Sequence, residues 1–241
     1  MNLKLTNNQV RYLLVFSVIL NIVAFFPAAK SYITRHFMQP PQKTITGVPP
    51  NRISYLLDRQ NVYRLFPVTS NDIVLAGDSH TQFYDSQEYL KDYKIVNRGI
   101  MGDNSAGLLN RLDEITKGHP KKLFIQIGLN DIRHKIGQDS ILKNISLMFV
   151  KAKRDSPSTV VYMVSIFPSS AIRNMFDPEY IIPVINQKIM SLCRGSGVTY
   201  IDVYTALSDK GALNKNSGCG DGIHLNAEGY SVYTKILKGY L

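Results

Sequence analysis

The sequence predicts an α/β fold in which a parallel β-sheet is covered by helices on both faces. Five short apolar runs, rich in β-branched residues, alternate along the chain with longer amphipathic segments. Continuously apolar runs of this length are typical of parallel strands that are buried on both sides. Strands that alternate with helices are joined by right-handed crossovers, and these place the helices on the two faces of the sheet.

The predicted elements follow one another in a regular order. The strands are predicted at 73–76, 93–96, 123–127, 160–164 and 198–201. The helices are predicted at roughly 81–91, 104–117, 137–154, 179–194 and 226–240. Together these elements form one domain, which we assign to residues 52–241, and a chain of that length can bury a proper core.

The composition is that of a packed globular chain. Of the 241 residues, 44% are hydrophobic and 19% are charged, which excludes a disordered protein. Two cysteines are too few for a disulfide framework or a four-cysteine zinc site. The net charge is +10, but the basic residues are scattered and form no run long enough for a nucleic-acid site. We therefore expect no nucleic-acid partner.

The N-terminal segment, residues 1–29, differs in composition from the domain that follows. Residues 12–29 carry no charge, and among them only Ser17 and Asn21 are plainly polar. At about 1.5 Å per residue, a helix over 12–29 spans about 27 Å, which is just enough to cross a membrane. We favour a single-pass anchor that leaves the following domain outside the cytoplasm. The alternative is a cleaved signal peptide and a secreted domain, although Pro27-Ala28-Ala29 matches a cleavage site poorly.

Residues 30–51 differ from both neighbours. Pro40-Pro41 and Pro49-Pro50 bracket a polar stretch. Paired prolines stiffen the chain and prevent regular strand pairing. This segment is therefore predicted to be a linker between the anchor and the folded domain.

Glycine-containing loops with polar side chains follow four of the predicted strands. They are Gly77-Asp78-Ser79-His80, residues 99–104 (GIMGDN), residues 128–131 (GLND), and a longer loop that reaches residues 221–225 (DGIHL). Parallel sheets bind ligands at the carboxyl ends of their strands, so these loops are expected to meet in one site.

The polar residues of these loops permit acyl transfer. Ser79 would be the nucleophile and His224 the base that takes its proton. Asp221 lies three residues before His224, so its carboxylate can reach the imidazole Nδ1 and fix the tautomer. The backbone N–H groups of Ser79 and Gly102 and the side-chain amide of Asn130 would form the oxyanion hole.

This set resembles the SGNH, or GDSL-like, hydrolase superfamily. Its hallmarks are Ser, Gly, Asn and His in four blocks with Asp three residues before the His, and the chain supplies them as Ser79, Gly102, Asn130, His224 and Asp221. The resemblance covers roughly residues 70–241. It implies a three-layer α/β/α flavodoxin-like sandwich with a five-stranded parallel sheet. It also implies a lipase-like esterase that needs no metal or other cofactor.

One departure leaves the acyl acceptor open. His80 stands where the usual motif has Leu, and this form resembles domains attached to sugar O-acyltransferases, whereas residues 128–131 resemble free-standing esterases. We expect hydrolysis of a small acyl ester, either an O-acyl group on a carbohydrate or a lipid ester. The alternatives are an O-acyltransferase and a non-catalytic binding module on the same fold.

The two cysteines allow two states. Cys219 lies two residues before Asp221, and a disulfide to Cys193 would tether the catalytic loop. Two free thiols are equally compatible with the sequence, because sequence does not give their distance.

Overall fold

A five-stranded parallel sheet is the frame of the protein. The computed structural model describes residues 50–173 and 182–241 of the chain. The sheet has the order β2-β1-β3-β4-β5, and all four neighbouring pairs are parallel. The strands are β1 (Ile73–Gly77), β2 (Ile95–Gly99), β3 (Lys122–Gln126), β4 (Val160–Val164) and β5 (Thr199–Ile201). The prediction of an α/β fold with five parallel strands is confirmed, although β2 begins two residues later than expected.

Helices precede, separate and follow the strands. The helices are α1 (Pro50–Leu65), α2 (Ser79–Gln82), α3 (Ser86–Tyr89), α4 (Ser105–Arg111), α5 (Asp113–Thr116), α6 (Leu129–Arg133), α7 (Gln138–Asp155), α8 (Ser170–Arg173), α9 (Ile182–Ser196), α10 (Tyr204–Leu207) and α11 (Ala227–Lys238). A small antiparallel pair, β6 (Ser208–Asp209) and β7 (Ala212–Leu213), lies before α11.

Two separate apolar clusters show that the fold has three layers. Alternate residues of one strand enter different clusters, because successive side chains of a strand point to opposite faces. Val74 packs in the cluster that includes the apolar residues of α4, α7 and α9, whereas Leu75 packs with Tyr233 of α11. The three-layer sandwich implied by the sequence is therefore confirmed.

Two of the predicted helices are broken. The segment predicted at 81–91 forms two four-residue helices, and the first ends at Gln82. Between them the Tyr84 ring turns inward, where it is 2% exposed and donates or accepts a hydrogen bond with Thr234. The segment predicted at 104–117 is likewise divided between α4 and α5. Tertiary packing thus overrides a continuous helical pattern.

Helix α1 is an element that the sequence analysis did not predict. Pro50 is its first residue, where the missing N–H of proline costs no hydrogen bond. The helix is attached to the sheet by Tyr63, whose hydroxyl donates to the Gly99 carbonyl at 2.6 Å. The ring of Tyr63 also lies against the guanidinium groups of Arg59 and Arg98.

The predicted anchor falls outside the part of the chain that the structure describes. Residues 12–29 and most of the 30–51 linker precede its first described residue. Within residues 50–173 and 182–241, no helix is long and apolar enough to span a membrane. Cys193 and Cys219 are both free thiols; the first is buried on α9 and the second is exposed.

Candidate active site

The predicted nucleophile lies directly after the strand β1. Ser79 begins α2, and the carboxylate of Asp78 caps this helix by accepting from the backbone N–H of His80 at 3.0 Å. A side chain at Gly77 would collide with the Gln126 carbonyl and the Thr81 hydroxyl, so only glycine allows this close turn. The turn leaves Ser79 6% exposed at the carboxyl edge of the sheet.

Ser79, His224 and Asp221 form a continuous chain of hydrogen bonds. His224 Nε2 lies 3.0 Å from Ser79 Oγ, and His224 Nδ1 lies 2.5 Å from Asp221 Oδ2. A carboxylate only accepts, so Nδ1 carries the proton and Nε2 is left to accept from the serine hydroxyl. The three residues are therefore arranged as a nucleophile, a base and the group that orients the base.

Asp221 is held by the backbone of its own loop. Its Oδ1 accepts from the N–H groups of Ile223 and His224, each at 2.8 Å. Burial raises the pKa of Asp221, but the bonds to His224 and to these two N–H groups outweigh it, and the net pKa lies well below the usual range. The carboxylate thus stays charged and able to stabilise an imidazolium.

Two of the predicted oxyanion donors lie on neighbouring loops that are joined. Gly102 adopts φ +79° in the turn after β2, a conformation that favours glycine. Asn130 lies in the first turn of α6, and its Nδ2 donates to the Asp103 carbonyl at 2.8 Å. This bond uses one of the two amide hydrogens and orients the other.

Arg111 is a buried support that the sequence analysis missed. Its guanidinium donates to Asp103 Oδ2 at 2.8 Å, to the Arg98 carbonyl at 2.8 Å and to the Gly77 carbonyl at 3.0 Å. The guanidinium of Arg111 therefore joins the end of β1, the end of β2 and Asp103, whose carbonyl accepts from Asn130. Burial raises the pKa of Asp103, and the charge of Arg111 offsets part of that rise. The sequence signal was an arginine on the buried side of α4.

The loop of Gly102 is also supported from outside the sheet. Gln82 Oε1 accepts from the Met101 N–H at 2.8 Å, and Gln82 Nε2 donates to the Tyr55 hydroxyl at 2.7 Å. Tyr55 lies on α1, so the helix that the sequence analysis missed is connected to the site.

Apolar side chains lie at the rim of the site. Phe83 is 46% exposed and its ring centroid lies 5.4 Å from that of His224. Met101, beside Gly102, is 37% exposed.

The loop of residues 221–224, which we call the triad loop, is held by the segment after β4. Ser169 Oγ and the Ser170 N–H donate to the Gly222 carbonyl at 2.9 and 2.8 Å.

Three residues of the site could in principle bind a metal ion, because their potential ligand atoms lie within 4.8 Å of one another; they are Cys219, Asp221 and His224. Asp221 and His224 are already hydrogen-bonded to each other at 2.5 Å. A metal ion between them would break that bond, because metal ligands lie about 2.0–2.3 Å from the ion and therefore farther than this from one another. The observed arrangement is thus that of a triad.

Comparison with known proteins gives a consistent result. The model of the GDSL-like lipase/acylhydrolase family matches residues 76–232. The chain is similar to the structure of a candidate platelet activating factor from Streptococcus pneumonia, with 31% identity and a TM-score of 0.68 over 78% of this chain and 94% of that one. It is also similar to a GDSL-like lipase from Bacteroides thetaiotaomicron, with 23% identity and a TM-score of 0.65 over 79% and 96% of the two chains.

A more distant similarity shows the fold alone. An acetylxylan esterase from Geobacillus stearothermophilus has 15% identity and a TM-score of 0.57, over 70% of this chain and 93% of that one. No curated protein matches the chain.

Proposed function

This chain belongs to the GDSL-like lipase/acylhydrolase family and is a hydrolase acting on ester bonds, and we propose that it cleaves them through an acyl-serine intermediate on Ser79. The observation that carries this proposal is the hydrogen-bonded chain from Ser79 Oγ through His224 to Asp221. A serine hydroxyl is a weak nucleophile until a base accepts its proton, and His224 Nε2 lies within reach to do so.

The proposed reaction has two halves. Ser79 Oγ attacks the ester carbonyl while its proton passes to His224 Nε2, and the backbone N–H groups of Ser79 and Gly102 and the amide of Asn130 stabilise the oxyanion. His224 then gives the proton to the leaving alkoxide, and an acyl-serine remains. In the second half His224 takes a proton from water, which attacks the acyl group; the acid leaves and the Ser79 hydroxyl is restored.

The test of this proposal is the loss of one hydroxyl. Ser79→Ala should abolish hydrolysis of p-nitrophenyl acetate and labelling by a fluorophosphonate, and it should leave the unfolding midpoint nearly unchanged. Ser140→Ala is a matched control, because Ser140 is an exposed serine on α7. Labelling that persists in Ser79→Ala would show that another residue is the nucleophile.

We propose that the substrate carries either a small O-acyl group on a carbohydrate or the acyl chain of a lipid. The exposed Phe83 and Met101 beside the triad support an apolar group near the scissile ester. A series of p-nitrophenyl esters from acetyl to palmitoyl separates the two. A preference for acetyl favours the O-acyl carbohydrate, and a preference for long chains favours the lipid.

The acceptor of the acyl group is tested separately. Transfer to a sugar hydroxyl would use the same acyl-serine, and His80 in the first block favours this alternative by its resemblance to O-acyltransferase domains. Product analysis with and without a sugar acceptor distinguishes acylated sugar from free acid.

We propose further that residues 12–29 anchor the enzyme in a membrane with the catalytic domain outside the cytoplasm. The support is the uncharged apolar composition of this segment and the two basic residues, Lys4 and Arg11, that precede it. The full chain should resist carbonate extraction, whereas a chain that begins at Gly47 should be soluble and active. A mature protein that begins near Lys30 would show that the segment is cleaved as a signal peptide. A domain that survives protease treatment of intact cells but is degraded after lysis would show that it faces the cytoplasm.

A further inference from the structure

His80 is a buried titratable residue that the proposed reaction does not use. It follows the nucleophile Ser79 directly on α2, and it is 1% exposed. Its ring centroid lies 5.6 Å from that of His224 and 5.0 Å from that of Phe167. One nitrogen of its ring contacts the triad loop, because Nε2 lies 2.9 Å from the carbonyl oxygen of Ile223.

We propose that His80 is a positioning residue, which holds the Ile223 carbonyl and thereby fixes His224 against Ser79. The proposal rests on the proposed function, since it assigns His80 a role in placing the base of that reaction. The observation behind it is the contact of His80, which is adjacent to Ser79, with Ile223, which is adjacent to His224.

The direction of the hydrogen bond follows from its acceptor. A carbonyl oxygen only accepts, so His80 Nε2 carries a hydrogen and donates. Nδ1 then faces Asp78 Oδ1 at 3.4 Å, which is an ion-pair distance rather than a well-formed hydrogen bond. Among the residues that the structure describes, neither Nδ1 nor Asp78 Oδ2 has a hydrogen-bond partner.

The electrostatic environment keeps the donor in place. Burial lowers the pKa of His80, but the Asp78 carboxylate, the Ile223 carbonyl and Asp221 outweigh it, and the net pKa is raised. Protonation would place a hydrogen on both ring nitrogens and would retain the Nε2 donor. The bond to Ile223 therefore persists whether the ring is neutral or charged.

The main chain of His80 is itself fixed at both ends. Its N–H donates to Asp78 Oδ1 at 3.0 Å, and its carbonyl accepts from the buried Tyr230 hydroxyl at 2.9 Å. The ring therefore projects from a rigid base toward the triad loop.

Ile223 is an effective point at which to hold this loop. It lies between Asp221 and His224, and its own N–H donates to Asp221 Oδ1. The bonds from Ser169 and Ser170 to Gly222 fix the loop to the segment after β4 but not to the nucleophile. His80 is the covalent neighbour of Ser79, so its bond sets the position of the base relative to the hydroxyl that it must deprotonate. A displacement of about 1 Å between reacting groups can cost about 10²-fold in rate.

Three substitutions test the role of the Nε2 donor. In His80→Gln, the amide nitrogen can occupy the place of Nε2; in His80→Asn, it occupies the place of Nδ1 and falls short of Ile223; His80→Leu has no donor. We expect His80→Leu and His80→Asn to lower kcat by about 10- to 100-fold with KM nearly unchanged, and His80→Gln to retain most of the wild-type kcat. The low-field proton NMR signal of the His224–Asp221 bond should weaken in the first two variants and persist in the third.

Two controls separate the possible failures. Urea unfolding of each variant identifies a mere loss of stability, and if His80→Leu does not fold, the comparison of Gln with Asn decides. Equal kcat in wild type and His80→Leu, or equal losses in His80→Gln and His80→Asn, would overturn the positioning role. If wild-type Ser79 is not labelled by a fluorophosphonate, the proposed function fails instead. If wild type is labelled and active and the His80→Leu variant has the same kcat, only the positioning role of His80 is refuted.

Discussion

Replacement of Arg111 by methionine should destabilise the protein by about 3–5 kcal/mol. Arg111 is 4% exposed and donates to three acceptors that would lose this donor. Two are backbone carbonyls, and the Gly77 carbonyl keeps the Ile100 N–H at 3.0 Å, so their losses together cost about 1–2 kcal/mol. The third is the buried carboxylate of Asp103, for which the cost is about 2–3 kcal/mol. Methionine fills a similar volume, so little of the effect comes from a cavity.

A surface arginine provides the matched control. Arg64 Nε lies 2.8 Å from Glu114 Oε1, the same distance as that between Arg111 Nε and Asp103 Oδ2. The side chain of Arg64 is 57% exposed, however, and an exposed pair contributes about 0–1 kcal/mol. Arg64→Met should therefore change the free energy of unfolding by less than about 1 kcal/mol.

Urea unfolding of both variants measures this difference. The double variant Asp103→Asn with Arg111→Met should lose less than the sum of the two single losses, because it leaves no unpaired charge in the interior. The loss of kcat should also be larger for Arg111→Met than for Arg64→Met, since the Asp103 carbonyl orients Asn130. Equal losses of stability from Arg111→Met and Arg64→Met, or strict additivity in the double variant, would refute this reasoning.

Three further predictions concern residues of the site. Asn130→Ala should lower kcat by about 10²–10³ with little change in KM, because the amide binds charge that develops only in the transition state; a raised KM alone would assign Asn130 to ground-state binding. Asp221→Asn should lower kcat by orders of magnitude with the fold intact, because an amide can favour the wrong imidazole tautomer of His224; a kcat close to that of wild type would contradict this. Burial raises the pKa of Asp131 to about 6, whereas in the unfolded chain it is about 3.9, so this carboxyl destabilises the folded state above pH 6 and the penalty decreases as the pH falls. Asp131→Asn should reduce the gain in unfolding free energy between about pH 7 and pH 5 by about 1 kcal/mol, and an unchanged gain would argue against the raised pKa.

The sequence predicted the sheet and the site loops because their signals are local. Strand β1 is an apolar run in which every residue is buried, and the other strands each carry at least one buried apolar residue. The order of the loops follows from the rule that parallel strands end at one edge. The loops that carry Ser79, Asn130 and His224 could thus be assigned before any distance was known. The distances of 3.0 and 2.5 Å between the triad atoms could not.

The supports of the site were missed because they depend on tertiary contacts. Arg111 follows a pattern that also fits a solvated helix, and its partners on β1 and β2 are 34 and 13 residues away. Helix α1 has no clear signal in the sequence, because Pro49-Pro50 indicates a break in the chain as readily as the beginning of a helix. His80 gave a signal only as a departure from a motif, and its contact with Ile223 spans 143 residues.

The separation in sequence of the proposed nucleophile from its proposed base has a consequence for the order in which the enzyme acquires activity. Ser79 and His224 are 145 residues apart, and closing a flexible loop of that length costs about 4 kcal/mol of chain entropy. The ribosome makes Ser79 long before His224, so a nascent chain carries a serine with no base to activate it. The last helix, α11, must then dock before Tyr230 can bind His80. By the proposed mechanism, ester hydrolysis therefore begins only when synthesis of the domain is almost complete, and interrupted chains are released without the ability to attack esters.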